Sequence, residues 1–286
     1  MRFLISLLIC LCFGGFGMAQ SDNGYTLFNA KGKKVAYKKM IKGLEDGQVI
    51  LFGEYHDNPI SHWLEYEVTK SLAAKYKLTL GAEMFERDNQ DELELYLSDS
   101  INHKGLDTMA RLWNNYKTDY KPLVDFAKDS SWSFVGTNIP RRFASLVYKK
   151  DFDGLDSLTN EEKSWIAPLP IPFDSSLSQY QAILTMMGGH GSPRIVKAQA
   201  IKDATMAHFI LAHFDESEDA RFVHYNGSFH SDFHQGIMWY LQQYKPEIRV
   251  KTIATVSQDD VSKLNKEHLG RADYIICVDE DMTKTY

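Results

Sequence analysis

The sequence predicts an α/β protein: a three-layer fold in which a parallel or mostly parallel sheet is flanked by helices, with one helical insertion. Two observations carry this. Short apolar runs rich in β-branched and aromatic residues recur along the chain, and stretches with helical periodicity lie between them. Strands buried on both faces by crossover helices read this way, as near-continuous apolar runs rather than alternating ones. A third observation concerns the ends of the runs, where glycine and ionisable residues follow four of them in succession.

Taken in order, the predicted strands are Gln48 to Phe52, Leu78 to Leu80, Trp132 to Val135, Arg221 to Tyr225, Arg249 to Thr255 and Ala272 to Val278. A helix is expected from Pro59 to Tyr76. Asn58 is its N-cap, Pro59 sits at the first helical position, and Trp63, Leu64, Val68, Leu72 and Ala73 recur at helical spacing. Lys197 to Phe214 carries Ala200, Ala204, Ala207, Ile210 and Leu211 on one broad face, and Ser231 to Tyr244 reads as a further helix. Ala167 to Pro193 breaks the alternation. It contains Pro168, Pro170, Pro172 and Pro193, the run Gly188 to Gly191, and a short amphipathic piece around Leu177 to Met187. A proline-bounded excursion of this length reads as a lid or an interface insertion.

The N-terminus sets the expected compartment. Arg2 is followed by the apolar run Phe3 to Cys12 and by Gly17-Met18-Ala19, which puts small residues at a cleavage site. The run is too short to span a bilayer, so residues 1–19 read as a secretory signal peptide and 20–286 as the mature α/β domain. Lipidation at Cys10 or Cys12 ranks second, because neither follows the usual run of small residues. The expected location is therefore the periplasm or the outer-membrane surface. The mature chain keeps one thiol, Cys277, inside an apolar strand, so it has no internal disulfide and an inert thiol. Net charge is −6, one unit more negative without Arg2, and there are no basic runs. This weighs against nucleic acid and anionic lipid as partners.

The chemistry lies where the strands end. Glu54 and His56 follow the first, Glu83 the second, Arg141 the third and His230 the fourth. Ligands of open parallel sheets bind in the crevice at the carboxyl ends of the strands. Alone, each residue has an ordinary role: Glu54 a helix cap, His56 a turn histidine, Glu83 and Arg141 an ion pair. Together they permit two chemistries. Glu54, His56, Glu83 and His230 have the donor types for a divalent zinc or manganese centre of a hydrolase. Without metal, His56 could act as base with a carboxylate orienting it, and Arg141 could hold an anionic group. His230 and His234 are four apart, which on a helix places both on one face. No Gly-x-Ser-x-Gly, phosphate-binding loop or dinucleotide glycine fingerprint occurs. His208 and His213, near a helix end, read as surface residues.

At these residues the sequence resembles the ChaN-like haem-binding uptake family, grouped with the Tiki proteins in one superfamily. The matching blocks are Val49 to Pro59 with His62, Gly81 to Phe85, Asn138 to Arg141, Val196 to Ala207 and Asn226 to His230, spread over about Gln48 to Tyr244. The last block reads Gly-Ser-Phe-His, where the family more often has a second glycine before the histidine. The resemblance implies a three-layer α/β domain with a helical insertion, exported and tied to haem acquisition, with haem bound between two subunits through a tyrosine. Tyr180 and His190, both in the insertion, are the candidates for that iron. It also implies a homodimer and outer-membrane uptake machinery as partners. The expected division of labour puts haem on the insertion and leaves the polar crevice to any hydrolytic chemistry.

Overall fold

Every sequence-predicted strand recurs in the computed structural model, which describes residues 24–186 and 192–286. The strands are β1 (Tyr25–Asn29), β2 (Val49–Glu54), β3 (Lys77–Glu86), β4 (Phe134–Asn138), β5 (Ala220–Gly227), β6 (Val250–Gln258) and β7 (Tyr274–Asp279). They form one seven-stranded sheet in the order β1-β7-β6-β2-β5-β3-β4. All neighbours run parallel except β1, which pairs antiparallel with β7. The sequence reading missed β1: a short edge strand, part-exposed at three of its positions, carries no long apolar run.

The α-helices are α1 (Tyr37–Leu44), α2 (Pro59–Ala73), α3 (Gln90–Leu97), α4 (His103–Met109), α5 (Lys121–Asp129), α6 (Arg141–Lys150), α7 (Asn160–Lys163), α8 (Ser178–Met186), α9 (Arg194–Ala212) and α10 (Ile237–Tyr244). Period-two alternation along β2 shows how they form layers. Ile50 and Phe52 join a core with Leu64, Val68 and Leu72 of α2 and Leu123 and Val124 of α5. Val49 and Leu51 face the other way, into a core with Val147 of α6, Ala200, Ala204 and Ala207 of α9, and Leu241 of α10. Both cores are buried, so β2 to β5 read as apolar runs. The Cys277 thiol is buried within β7, and burial pushes it up to about 12.

α2 begins as read. The Asn58 side chain accepts the Ser61 N–H at 2.9 Å and Pro59 opens the first turn. It is then pinned to the sheet by polar contacts, Ser61 Oγ to Thr255 Oγ1 at 2.9 Å and Thr69 Oγ1 to Tyr225 at 2.6 Å. The expected helix from Ser231 to Tyr244 is instead broken. Asp232–His234 forms a single tight turn, and Phe233 and His234 both have positive φ. Gly236 follows at φ +55°, where an added Cβ would meet the His230 carbonyl oxygen at 2.2 Å, and only then does α10 start. His230 and His234 therefore do not share a helix face.

Candidate functional site

The strand order assembles the site. β2, β5 and β3 are adjacent, although β5 lies some 130 positions later in the chain than β3, and Glu54 sits in register beside Gly227. Their carboxyl ends bring Glu54 and His56, then Gly227 to His230, then Glu83, to one edge. β4 is the outermost strand, beyond β3, and Arg141 opens α6 there, exposed and away from the cleft. Its expected convergence with the others is not seen, because β3 stands between β4 and β5. Its neighbour Arg142 is occupied by Asp88 and lies over the rings of Phe143 and Trp165.

Two ion-pair systems flank Gly227. In the first, Glu54 Oε1 lies 2.5 Å from His56 Nδ1 and Oε2 lies 2.9 Å from His62 Nδ1, while Tyr120 donates its hydroxyl to Oε1 at 2.8 Å. Burial opposes charge on Glu54, but the two imidazoles outweigh it and bring its carboxyl down to about 2. Burial likewise opposes charge on His62, yet Glu54 and Glu65 lift it to about 11. Glu65 is pushed well above the usual carboxylate range by burial and by the Glu54 charge. In the second system, His230 Nε2 lies 3.1 Å from Glu83 Oε1 and its Nδ1 lies 2.5 Å from Asp203 Oδ1. Burial disfavours the imidazolium, but the charges of Glu83 and Asp203 raise it to about 10. Glu83 Oε2 accepts the Gly227 N–H at 2.8 Å. A Cβ on Gly227 would fall 2.8 Å from His56 Nε2, so glycine is what lets the imidazole rest against the strand end.

The quartet expected to hold one metal, Glu54, His56, Glu83 and His230, thus falls into two ion pairs, Glu54 with His56 and Glu83 with His230. Among the described residues, one group of three acidic and imidazole side chains has its donors all within 4.8 Å of one another, Glu54, His62 and Glu65. The sequence reading placed His62 only by resemblance and did not mark Glu65. A signal existed: both are ionisable and three apart, on the helix face that carries Leu64, Val68 and Leu72. Asp203 had a similar signal, as an acid in the alanine stripe of α9. Asp119 and Tyr120 come from a π-helical turn, Tyr116–Tyr120, that no local pattern marks as part of the site.

The insertion behaves differently from the expectation. Tyr180 is 1% exposed and packed in the core against α9, where its hydroxyl donates to Asp203 Oδ2 at 2.9 Å. Burial raises its pKa far out of reach of a phenolate. It is therefore a buried prop behind His230 and presents no ligand to an open face. The cause is that α8 lies down on α9 instead of standing off the domain. His190 lies outside the described residues, as do residues 1–19. What α8 offers outward is Ile183 and the exposed Met186. With Ile195 and Phe229 they wall a cleft of about 730 Å³ whose polar lining includes Tyr55, His56, Gln199, His230 and Arg271. Insertion and strand-end residues therefore line one cleft, and the expected separation of the two is not seen. The volume lies in the range of small-molecule sites, roughly 300–1,000 Å³.

No curated protein matches this chain. Among solved structures, it is similar to one described as cofacial heme binding to ChaN of Campylobacter jejuni, at 18% identity over 89% of this chain and 97% of that one, with a TM-score of 0.66. It is also similar to a succinoglycan biosynthesis protein, at 11% identity over 90% and 94% of the two chains and a TM-score of 0.54. An erythromycin esterase mutant in its open conformation matches at 10% identity over 88% and 97%, with a TM-score of 0.50. At these identities the likeness is one of fold. The sequence profile described as haem-binding uptake, Tiki superfamily, ChaN matches residues 40–241, which include every strand-end residue described above. The chain belongs to that family of haem-binding uptake proteins.

Proposed function

We propose that this chain is an exported haem-binding protein of haem acquisition, and that it takes haem in the cleft at the ends of β2 and β5 with His56 toward the iron. Family membership supports haem as the ligand. The observation that carries the choice of site is the state of His56. Its side chain is 33% exposed, its Nδ1 is held by Glu54, and its Nε2 has no hydrogen-bond partner among the described residues. A carboxylate on one imidazole nitrogen fixes the ring and raises the basicity of the other, as in histidines that ligate metal. A porphyrin also needs apolar faces and a cation for its carboxylates. Ile183, Met186, Ile195 and Phe229 offer the first. Arg271, which lines the cleft and is paired with Asp232 through Nη1, offers the second.

The test is a haemin titration followed by absorption. His56→Ala is expected to lose the ligand-field spectrum and to weaken binding, while Tyr180→Phe and Tyr55→Phe bind like the parent. Unchanged binding and an unchanged spectrum in His56→Ala would remove His56 from the iron. Export is part of the same reading, supported by the leader-like residues 1–19. Intact mass of secreted protein beginning at Gln20 is the expected result, and a diacylglyceryl adduct on Cys10 or Cys12 the contrary one.

A hydrolytic reading is favoured by one feature, a carboxylate-oriented imidazole facing a cleft, which suits activation of water. It does not require the metal quartet. It predicts ester hydrolysis by haem-free protein that both His56→Ala and Glu54→Gln abolish.

A further inference from the structure

We propose that Glu54, His62 and Glu65 form a binding site for one divalent cation of the zinc or manganese class, buried behind the cleft and separate from the haem position. The donor atoms of the three lie within 4.8 Å of one another. His62 Nδ1 is 2.9 Å from Glu54 Oε2 and 3.3 Å from Glu65 Oε2. Ligands around a four-coordinate zinc, with bonds of about 2.0–2.2 Å, stand roughly 3.3 Å apart, so little movement is needed to close the shell.

A second observation points to a cation independently of that spacing. Glu54 Oε2 and Glu65 Oε1 are buried without a hydrogen-bond donor, and both side chains are fully buried. His62 Nδ1 carries at most one hydrogen, which Glu54 Oε2 at 2.9 Å and Glu65 Oε2 at 3.3 Å would have to share. Buried carboxylate oxygens without donors are costly, and a coordinated cation satisfies both at once. Two carboxylates and a neutral imidazole also balance the charge of a dication. Oxygen and imidazole donors without a thiolate select zinc or manganese over copper(I).

The surroundings are those of a ligand shell held from outside. His62 Nε2 lies 3.2 Å from the His56 carbonyl oxygen and 3.5 Å from Asp119 Oδ2, partners that would take the Nε2 proton and leave the Nδ1 lone pair facing the carboxylates. Asn115 donates to Asp119 Oδ2 at 2.7 Å and to the His56 carbonyl at 2.9 Å, holding both. Tyr120 orients Glu54 from the far side. α2 carries His62 and Glu65 one turn apart on a helix tied to the sheet at Ser61 and Thr69, so the pair is rigid. Glu54 reaches the cleft, which gives the ion a way in. Glu54 also joins the site to His56: one oxygen faces the cation, the other the imidazole of the cleft.

Zinc sulfate is the probe, added to full-length haem-free protein that has been stripped with chelator and desalted. The parent is expected to retain about one zinc per chain by elemental analysis. Glu65→Gln and His62→Asn are expected to retain none, whereas His230→Ala retains it. Tyr120→Phe weakens affinity about tenfold, the scale of losing an outer-shell partner. Glu65→Gln keeps the shape and exchanges one oxygen for an amide, so it decides the matter if His62→Asn fails to fold by circular dichroism. Cobalt(II) in place of zinc gives a visible spectrum that should vanish in Glu65→Gln. The proposal is overturned if the parent retains no zinc, if Glu65→Gln retains it equally, or if His230→Ala abolishes it. Haem takes no part in the assay, so its result is independent of the haemin titrations.

Discussion

Glu54 divides its two carboxylate oxygens between two imidazoles, Oε1 at 2.5 Å from His56 and Oε2 at 2.9 Å from His62. Such sharing depends on small residues nearby. Gly227→Ala puts a methyl against His56 Nε2, and because His56 is part-exposed it can swing away. The expected outcome is a fold destabilised by about 1–3 kcal/mol, the usual range for overpacking, with haemin affinity lost out of proportion. Urea unfolding and the haemin titration, run on the same sample, separate the two effects. His224 gives a second prediction at this scale. It is fully buried on β5, bonded to Thr137 at 2.7 Å and Asn226 at 3.1 Å, and burial lowers it to about 4. An unfolded histidine titrates near 6.5, so as pH falls the unfolded chain takes up this proton first. The stability from a neutral His224 is whole above about pH 6.5 and lost as pH falls toward 4, about 3 kcal/mol in all. The slope of unfolding free energy with pH in that window should flatten in His224→Asn. An unchanged slope would assign the acid sensitivity elsewhere.

At the scale of elements, α2 and α8 do the positioning. α2 is held at its start by the Asn58 cap, so Asn58→Ala should cost about 1 kcal/mol in urea unfolding. It should also loosen the His62–Glu65 pair one turn on, which a weaker zinc affinity would register. α8 contributes the apolar wall of the cleft through Ile183 and Met186, while its inner face is anchored by Tyr180. Met186 is 75% exposed, so Met186→Glu should leave stability within about 0.5 kcal/mol of the parent. The same change should weaken haemin binding several-fold, because the porphyrin face would meet a charge. Equal binding would place the haem away from α8.

At the scale of the whole molecule, the cleft is partly open to solvent, and the exposed Met186 makes its rim apolar. A second copy that covered the open side would enclose a flat ligand bound there. Sedimentation velocity should show a monomer without haemin and a dimer with it, and the haem-dependent dimer should disappear in Met186→Glu. A haem-loaded monomer would refute dimerisation.

Much of this was written into local sequence. Six strands and the start of α2 follow from apolar runs, an asparagine cap and a proline, since these depend on neighbours in the chain. Glu54, His56, Glu83 and His230 were legible because strand ends in parallel sheets face one edge. The break at Phe233 to Gly236 was not legible, because it is held by a tertiary contact, the Phe233 N–H donating to the Arg271 carbonyl oxygen at 2.6 Å. Nor was the exclusion of Arg141, which depends on strand order: β5 inserts between β2 and β3 and leaves β4 at the edge. Tyr180 looked like an exposed ligand because proline-bounded segments usually stand clear, and only the packing of α8 on α9 buried it. The sequence by itself determined which residue types reach the strand ends. The tertiary structure decided which of them meet, because pairing Glu54 with His62 and His230 with Asp203 takes helix docking that no local pattern encodes.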